Sequence, residues 1–66
     1  MHDIESLKRR IAELQVEHRV LDREIGLQQV AVPVDELLVR RLKKRKLQVK
    51  DALILLQGRL TPDVPA

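Results

Sequence analysis

The stretch Val30-Ala31-Val32-Pro33-Val34-Asp35 decides the fold, because it interrupts a chain that otherwise has the pattern of a helix on both sides. Pro33 lacks the backbone N–H that a helix interior needs, and it pushes the preceding residue toward an extended conformation. The neighbouring valines are β-branched, which also disfavours a continuous helix. We therefore predict a turn over residues 30–34 between two helices, in preference to one long bent helix.

Before the turn, apolar residues recur at alternating steps of three and four, the spacing of the a and d positions of a coiled coil. The series consists of Ile4, Leu7, Ile11, Leu14, Leu21 and Ile25. His18 occupies the place that is missing from this series. Because Asp3 is a favourable N-cap residue, we predict a first helix over residues 3–29.

After the turn, a second apolar stripe predicts a second helix over residues 35–58. The stripe consists of Leu38, Leu42, Val49, Leu53 and Leu56, with Leu60 as a further candidate and with Arg45 and Lys46 interrupting it. Asp35 is a plausible N-cap, and Gly58 fits a C-terminal cap. Residues 59–66 then form a short tail.

A break this short brings the two helices back against each other as an antiparallel hairpin. At 66 residues the chain has room for a single domain. The predicted fold class is therefore all-α, a coiled-coil-like antiparallel hairpin of two helices.

A second apolar face lies away from the stripe on each helix. Its members are Val16, Val20 and Leu27 on the first helix, and Leu47, Ile54 and Leu55 on the second. Helices that are apolar on two faces are normally covered on both. A chain this small, with no cysteine for a disulfide staple, has little core of its own. We expect self-association into a dimer or larger oligomer, with a four-helix bundle as the leading arrangement.

The composition leaves little material for catalysis or for a cofactor. The chain has no cysteine and no aromatic residue, and it holds one Ser, one Thr and two His. Its two glycines are isolated, so no glycine-rich phosphate loop is present. We predict that the protein is not an enzyme and that it binds no metal or other cofactor.

His18 and Asp22 form a candidate polar pair, because Asp22 lies one helical turn after the seam position of His18. One interpretation is a metal ligand pair or a pH switch. The other is a structural pair that fixes the helix register, as a polar residue does inside a coiled coil. The structural interpretation is favoured, since two ligands are too few for a zinc site.

The second helix carries a run of basic residues without an acidic residue among them. These are Arg40, Arg41, Lys43, Lys44, Arg45, Lys46 and Lys50. The favoured interpretation is a solvated surface that pairs with Glu13, Glu17 and Glu24 of a neighbouring helix. The alternative is weak, non-specific binding of nucleic acid or another polyanion, and an amphipathic helix on a membrane surface comes third. The charges spread around the helix and no aromatic residue can stack on bases, so the alternative is less favoured.

Two motifs resemble a known family. They are His18-x-x-Leu21-Asp22-x-x-Ile25 on the first helix and Leu42-Lys43-Lys44-x-Lys46-Leu47-x-Val49-Lys50-Asp51-x-Leu53 on the second. The chain resembles the YdcH-like family, small bacterial proteins of unknown function that are regarded as helical hairpins. It departs from the family at Ala52, where an acid is common, and at Gln28, where an apolar residue is usual. The resemblance implies the hairpin fold and roles for His18, Leu21, Asp22 and the stretch 43–51, but no activity.

These patterns together predict a non-catalytic, self-associating interaction or structural module of unknown cellular role. Besides a second copy, an unidentified protein is an expected partner. No apolar run is long enough to span a membrane. Because residues 1–5 lack the basic and then apolar pattern of a signal peptide, we expect a cytoplasmic protein.

Overall fold

In a computed structural model, which describes residues 3–60, two long helices pack against each other. Helix α1 spans Ile4–Gln29 and helix α2 spans Glu36–Leu60, with a turn over residues 30–35 between them. The part of the chain that the structure describes contains no strand. The predicted all-α class and the packing of two helices as a hairpin are confirmed. Residues 61–66 of the predicted tail lie outside the described residues.

Asp3 caps the start of α1, as the sequence predicts. Its Oδ1 accepts a hydrogen bond from the backbone N–H of Glu5 at 3.1 Å, and its Oδ2 accepts one from the Ser6 hydroxyl at 3.2 Å. The cap satisfies a backbone donor that has no partner within the helix. Glu5 lies in the first turn, where a negative charge interacts favourably with the helix dipole.

Asp35 caps the start of α2 in the same way. Its Oδ1 accepts a hydrogen bond from the N–H of Leu38 at 3.0 Å, and its carbonyl accepts the first helical bond from Val39 at 3.0 Å. The turn ahead of it begins where the N–H of Ala31 donates to the carbonyl of Gln28 at 3.3 Å. Both helix starts therefore follow from a short acidic side chain at the position that the sequence indicates.

The end of α2 differs from the prediction. The helix continues through Gly58 to Leu60, and the φ angle of Gly58 is not positive, so this residue is not a left-handed cap. Leu60 is half-buried and lies one seam step after Leu56. Because Leu60 is half-buried at a seam position, packing favours a helix that extends past Gly58. Local preference alone would end the helix at this glycine.

The predicted seam of α1 faces α2. Ile11, Leu14 and Ile25 are buried, while Leu7 and Leu21 are half-buried. Ile4, which belongs to the same series, is 60% exposed because it lies at the open end of the hairpin. The three-and-four spacing thus identifies the interior of the hairpin on α1 apart from its first member.

On α2 the most deeply buried residue is Val49, which is 1% exposed. Leu42, Leu53 and Leu56 are half-buried, in agreement with the predicted stripe. Val39 is also buried, although the sequence analysis placed the start of the stripe at Leu38. Val39 precedes Leu42 by three residues, so it belongs to the seam.

The molecule is thin. Its principal dimensions are 46 × 27 × 15 Å, which corresponds to one layer of two helices side by side. The buried hydrophobic residues of the described chain are Ile11, Leu14, Ile25, Val39 and Val49. With so small a core, each helix turns a large part of its surface to solvent.

Candidate functional site

A polar layer crosses the middle of the hairpin. Arg45 Nε donates a hydrogen bond to Glu17 Oε2 at 2.8 Å, and Lys46 Nζ donates one to Asp22 Oδ1 at 2.5 Å. His18, half-buried at a seam position, lies between the two carboxylates along α1. The apolar seam is therefore divided by two ion pairs that join α1 to α2.

The two ion pairs shift the pKa values of Glu17, Asp22 and Arg45. The hydrogen bond from Arg45, together with its charge, holds the pKa of Glu17 below the usual value. The hydrogen bond and the charge of Lys46 do the same to the pKa of Asp22, with a smaller contribution from His18. The Glu17 carboxylate in turn raises the pKa of Arg45. Both pairs remain accessible to solvent, so each contributes modestly to stability.

The hydrogen bond of Asp22 reaches α2. The sequence predicts a pair of Asp22 with His18 on the same helix, but the Asp22 carboxylate accepts its hydrogen bond from Lys46. His18 is near enough to influence the pKa of Asp22. Within residues 3–60, no group of three or more His, Cys, Asp or Glu side chains is arranged to hold a metal ion. The polar-pair role of His18 and Asp22 stays a prediction.

The structure divides the basic run of α2 into paired and unpaired members. Arg45 and Lys46 make the two ion pairs of the polar layer. The other five make no ion pair with any residue from 3 to 60: Arg40, Arg41, Lys43, Lys44 and Lys50. These five cations therefore face solvent along one helix without an ion-pair partner among the described residues.

Of the three glutamates predicted to pair with this run, Glu17 is the one that makes an ion pair with it in the described part of the chain. Glu13 pairs with Arg10 on its own helix at 3.3 Å, and Glu24 accepts a hydrogen bond from Gln28 at 3.0 Å. The pair between Asp22 and Lys46 was missed. The sequence feature that indicates this pair is the three-and-four spacing from Leu42 to Val49, because it places Lys46 at a seam position opposite α1.

The second apolar faces are exposed in the single chain. We call them the α1 outer face, which consists of Val16, Val20 and Leu27, and the α2 outer face, which consists of Leu47, Ile54 and Leu55. Each of these six side chains is between 51% and 60% exposed. At 100° per residue they lie on the sides of their helices that point away from the seam. Nothing within the hairpin covers them.

A shallow open groove of about 370 Å³ lies at the turn end of the hairpin. It is lined by Gln29, Val34, Glu36, Val39, Arg40 and Lys43. Two of the unpaired cations therefore border it. Neither α1 nor α2 is long and apolar enough to cross a membrane.

A family model described as "Protein of unknown function (DUF465)" matches residues 11–57. This range includes most of α1, the turn, and α2 as far as Gln57, so it contains the whole polar layer and both outer faces. No curated protein and no solved structure matches the chain.

Proposed function

The chain belongs to the DUF465 family, which includes the YdcH-like proteins that its motifs resemble, and we propose that it is a self-associating interaction module without catalytic activity. The family description assigns no activity, so the proposal rests on the surfaces of the hairpin. In this proposal the module acts in the cytoplasm and binds a second copy of itself. The surface that remains exposed after self-association binds another protein.

The carrying observation is the pair of exposed outer faces. Six large apolar side chains lie on them, against five buried side chains in the interior of the hairpin. Clusters of exposed large apolar side chains mark sites of protein association. A hairpin that exposes more large apolar residues than it buries has a strong reason to associate.

The thinness of the molecule supports the same proposal. A layer of two helices, 15 Å across in its short dimension, buries one stripe of each helix. Small chains of this kind usually need a disulfide, a metal or a partner to reach useful stability. The chain contains no cysteine, and its described part offers no cluster of metal ligands. A partner is the remaining route.

The direction of the outer faces limits how two hairpins can meet. Stacking the flat sides of two hairpins into a compact four-helix bundle leaves these faces largely uncovered, because each points away from the neighbouring helix. Contact between the edges of two hairpins covers them. We therefore propose that four helices come together side by side, with an outer face at the junction.

Analytical ultracentrifugation beside circular dichroism tests the proposal. We expect a dimer or larger species at micromolar concentration and a melting temperature that rises with protein concentration, because association stabilises the folded state by mass action. A monomer whose melting temperature is independent of concentration overturns self-association.

The five unpaired cations favour a second candidate function, the weak and non-specific binding of nucleic acid or another polyanion. Four of them lie between Arg40 and Lys44, within two helical turns. If each of the five contacts one phosphate of a duplex, the logarithm of the binding constant should fall against the logarithm of salt concentration with a slope of about −4.5. Absence of binding at low salt overturns this second function. That result leaves the test of self-association unaffected.

A further inference from the structure

We propose that the α1 outer face binds the same face of a second copy of this chain, with the two α1 helices antiparallel about a two-fold axis. The inference rests on the proposed function and goes further, because it names the face, the partner and the register. It follows from a second heptad series on α1 and from the charges of the two helices.

The outer side of α1 carries a series with the same three-and-four steps as the seam. Its members are Arg9, Glu13, Val16, Val20, Arg23 and Leu27, and all six are exposed. Three of these six positions are apolar and three are charged, so the outer series offers a shorter apolar surface than the seam, with charges that can pair across a contact with another helix. The buried members of the seam series lie in the interior of the hairpin, while every member of the outer series is exposed.

Antiparallel pairing at the level of residue 18 matches every member of the outer series. Val16 then faces the partner's Val20 at the centre, and Glu13 faces the partner's Arg23 on either side. Further out, the aliphatic stem of Arg9 lies over the partner's Leu27. Because the two-fold axis repeats each contact, the interface holds two ion pairs around an apolar centre.

A shift of seven residues in either direction destroys the match. It removes both pairs between Glu13 and Arg23 and brings a charge to the centre of the contact, with Arg23 against the partner's Val20 or Glu13 against the partner's Val16. Such pairing costs free energy because a charge loses water without gaining an opposite charge. In the proposed register the centre is apolar, and Arg9 lies at the end of the contact, where its charged group reaches water. The charge pattern therefore selects one register.

The charges of the helices select α1 over α2 for self-pairing. Helix α1 holds five basic and five acidic residues, so two copies meet without net repulsion. Helix α2 holds eight basic and two acidic residues, so two copies of it repel each other. Pairing of α1 with the partner's α2 uses faces on opposite edges of the hairpin, which extends into an open ribbon and leaves no closed dimer.

Charge reversal tests the register directly. In Glu13→Arg homodimers both ion pairs become repulsive, and the same is true of Arg23→Glu homodimers. We expect each variant alone to dimerise roughly tenfold more weakly or worse. In an equimolar mixture of the two variants, a mixed dimer regains both opposite-charge pairs, so dimerisation should return toward the wild-type constant. Lys8→Glu, an equal change of charge away from the series, should have little effect.

Cysteine cross-linking gives a second measurement, because the chain has no cysteine of its own. A mixture of Val16→Cys and Val20→Cys proteins should form a mixed disulfide dimer under mild oxidation faster than either protein alone. Cross-linking of Leu47→Cys or Ile54→Cys with these positions at an equal rate contradicts the assignment to α1.

The two proposals fail in different ways. A wild-type monomer overturns both self-association and this interface. A wild-type oligomer that ignores the single reversals and shows no recovery on mixing overturns the α1 pairing alone, since association then uses another surface.

Discussion

The seam and the outer faces both carry large apolar side chains on one side of a helix, yet the hairpin covers only the seam. Leu14 and Val49 are almost fully buried between the helices. Val20 and Leu47 remain more than half exposed. This difference shows that an apolar helix face indicates packing against another helix, but it does not identify the partner helix. The connection between α1 and α2 supplies one partner within the chain, and the outer faces need another.

The largest expected effect comes from placing a charge in the seam. Val49→Asp buries a carboxylate where the native side chain is 1% exposed, and the nearby Arg45 and Lys46 are already paired with Glu17 and Asp22. We expect a loss of about 4 kcal/mol or more in the free energy of unfolding, enough to abolish the helical circular dichroism signal. Retained helicity and an unchanged melting temperature would show that the seam is not the stabilising core.

A smaller but specific effect is expected on the α1 outer face. Val16→Glu combined with Val20→Glu places four like charges at the centre of the proposed interface and should weaken dimerisation by about 2–4 kcal/mol. Sedimentation velocity should show monomers, and the monomers should be less helical because they have lost a stabilising partner. If the double variant dimerises as strongly as wild type, the interface lies on another surface.

The α2 outer face provides the matched comparison. Leu47→Glu combined with Ile54→Glu should leave the α1 dimer intact, while reducing any assembly beyond the dimer by about 1–2 kcal/mol. Light scattering across a range of concentrations measures both states. If this variant dissociates fully to monomers, the α2 face is the dimer interface and the charge argument for α1 is wrong.

A stabilising change away from the seam and the α1 outer face sharpens the comparison. Gly58 lies inside α2, and a Cβ atom added there meets no other atom within 4 Å. Gly58→Ala should therefore raise the free energy of unfolding by about 0.5–1 kcal/mol through helix propensity alone. The thermal melt should shift upward while the dimerisation constant stays the same. A change in the dimerisation constant would place Gly58 at an interface.

The smallest expected effect is the pH dependence of the polar layer. The pKa values of Glu17 and Asp22 are lowered in the folded chain by Arg45 and Lys46. Their stabilising contribution is therefore fully present above the unfolded values near 4, and it is lost as the pH falls through the lowered folded values. The melting temperature of wild type should drop more between pH 6 and pH 3 than that of Arg45→Gln with Lys46→Gln. Equal drops would mean that the two pairs contribute nothing.

Local features of the hairpin could be predicted because they depend on neighbours along the chain. Asp3 and Asp35 cap their helices because a short acidic side chain reaches the backbone N–H groups two or three residues ahead. Pro33 marks the turn because its ring prevents a helix from continuing. The seam of α1 follows from periodicity. None of these features requires knowledge of where the other helix lies.

Three features were missed because local preference is ambiguous or is overridden. Leu37, Leu38 and Val39 are three consecutive apolar residues, and only contact with α1 makes Val39 the buried one. Gly58 has the preference of a cap, but packing of the half-buried Leu60 carries the helix beyond it. Asp22 has a histidine within one turn on α1, yet its hydrogen bond goes to Lys46 on α2.

The sequence by itself determined two helices, their starts, the turn between them and the family, because capping, proline geometry and heptad spacing act over a few residues. The tertiary structure decided which heptad series is buried, which cations are neutralised and which are left free. Those outcomes depend on the rotation of each helix about its own axis and on the offset between α1 and α2 along their axes. That register is fixed by contacts between residues more than twenty positions apart, such as Glu17 with Arg45 and Asp22 with Lys46. A pattern that repeats every seven residues leaves such a register open, and the side chains that face each other across the hairpin select it.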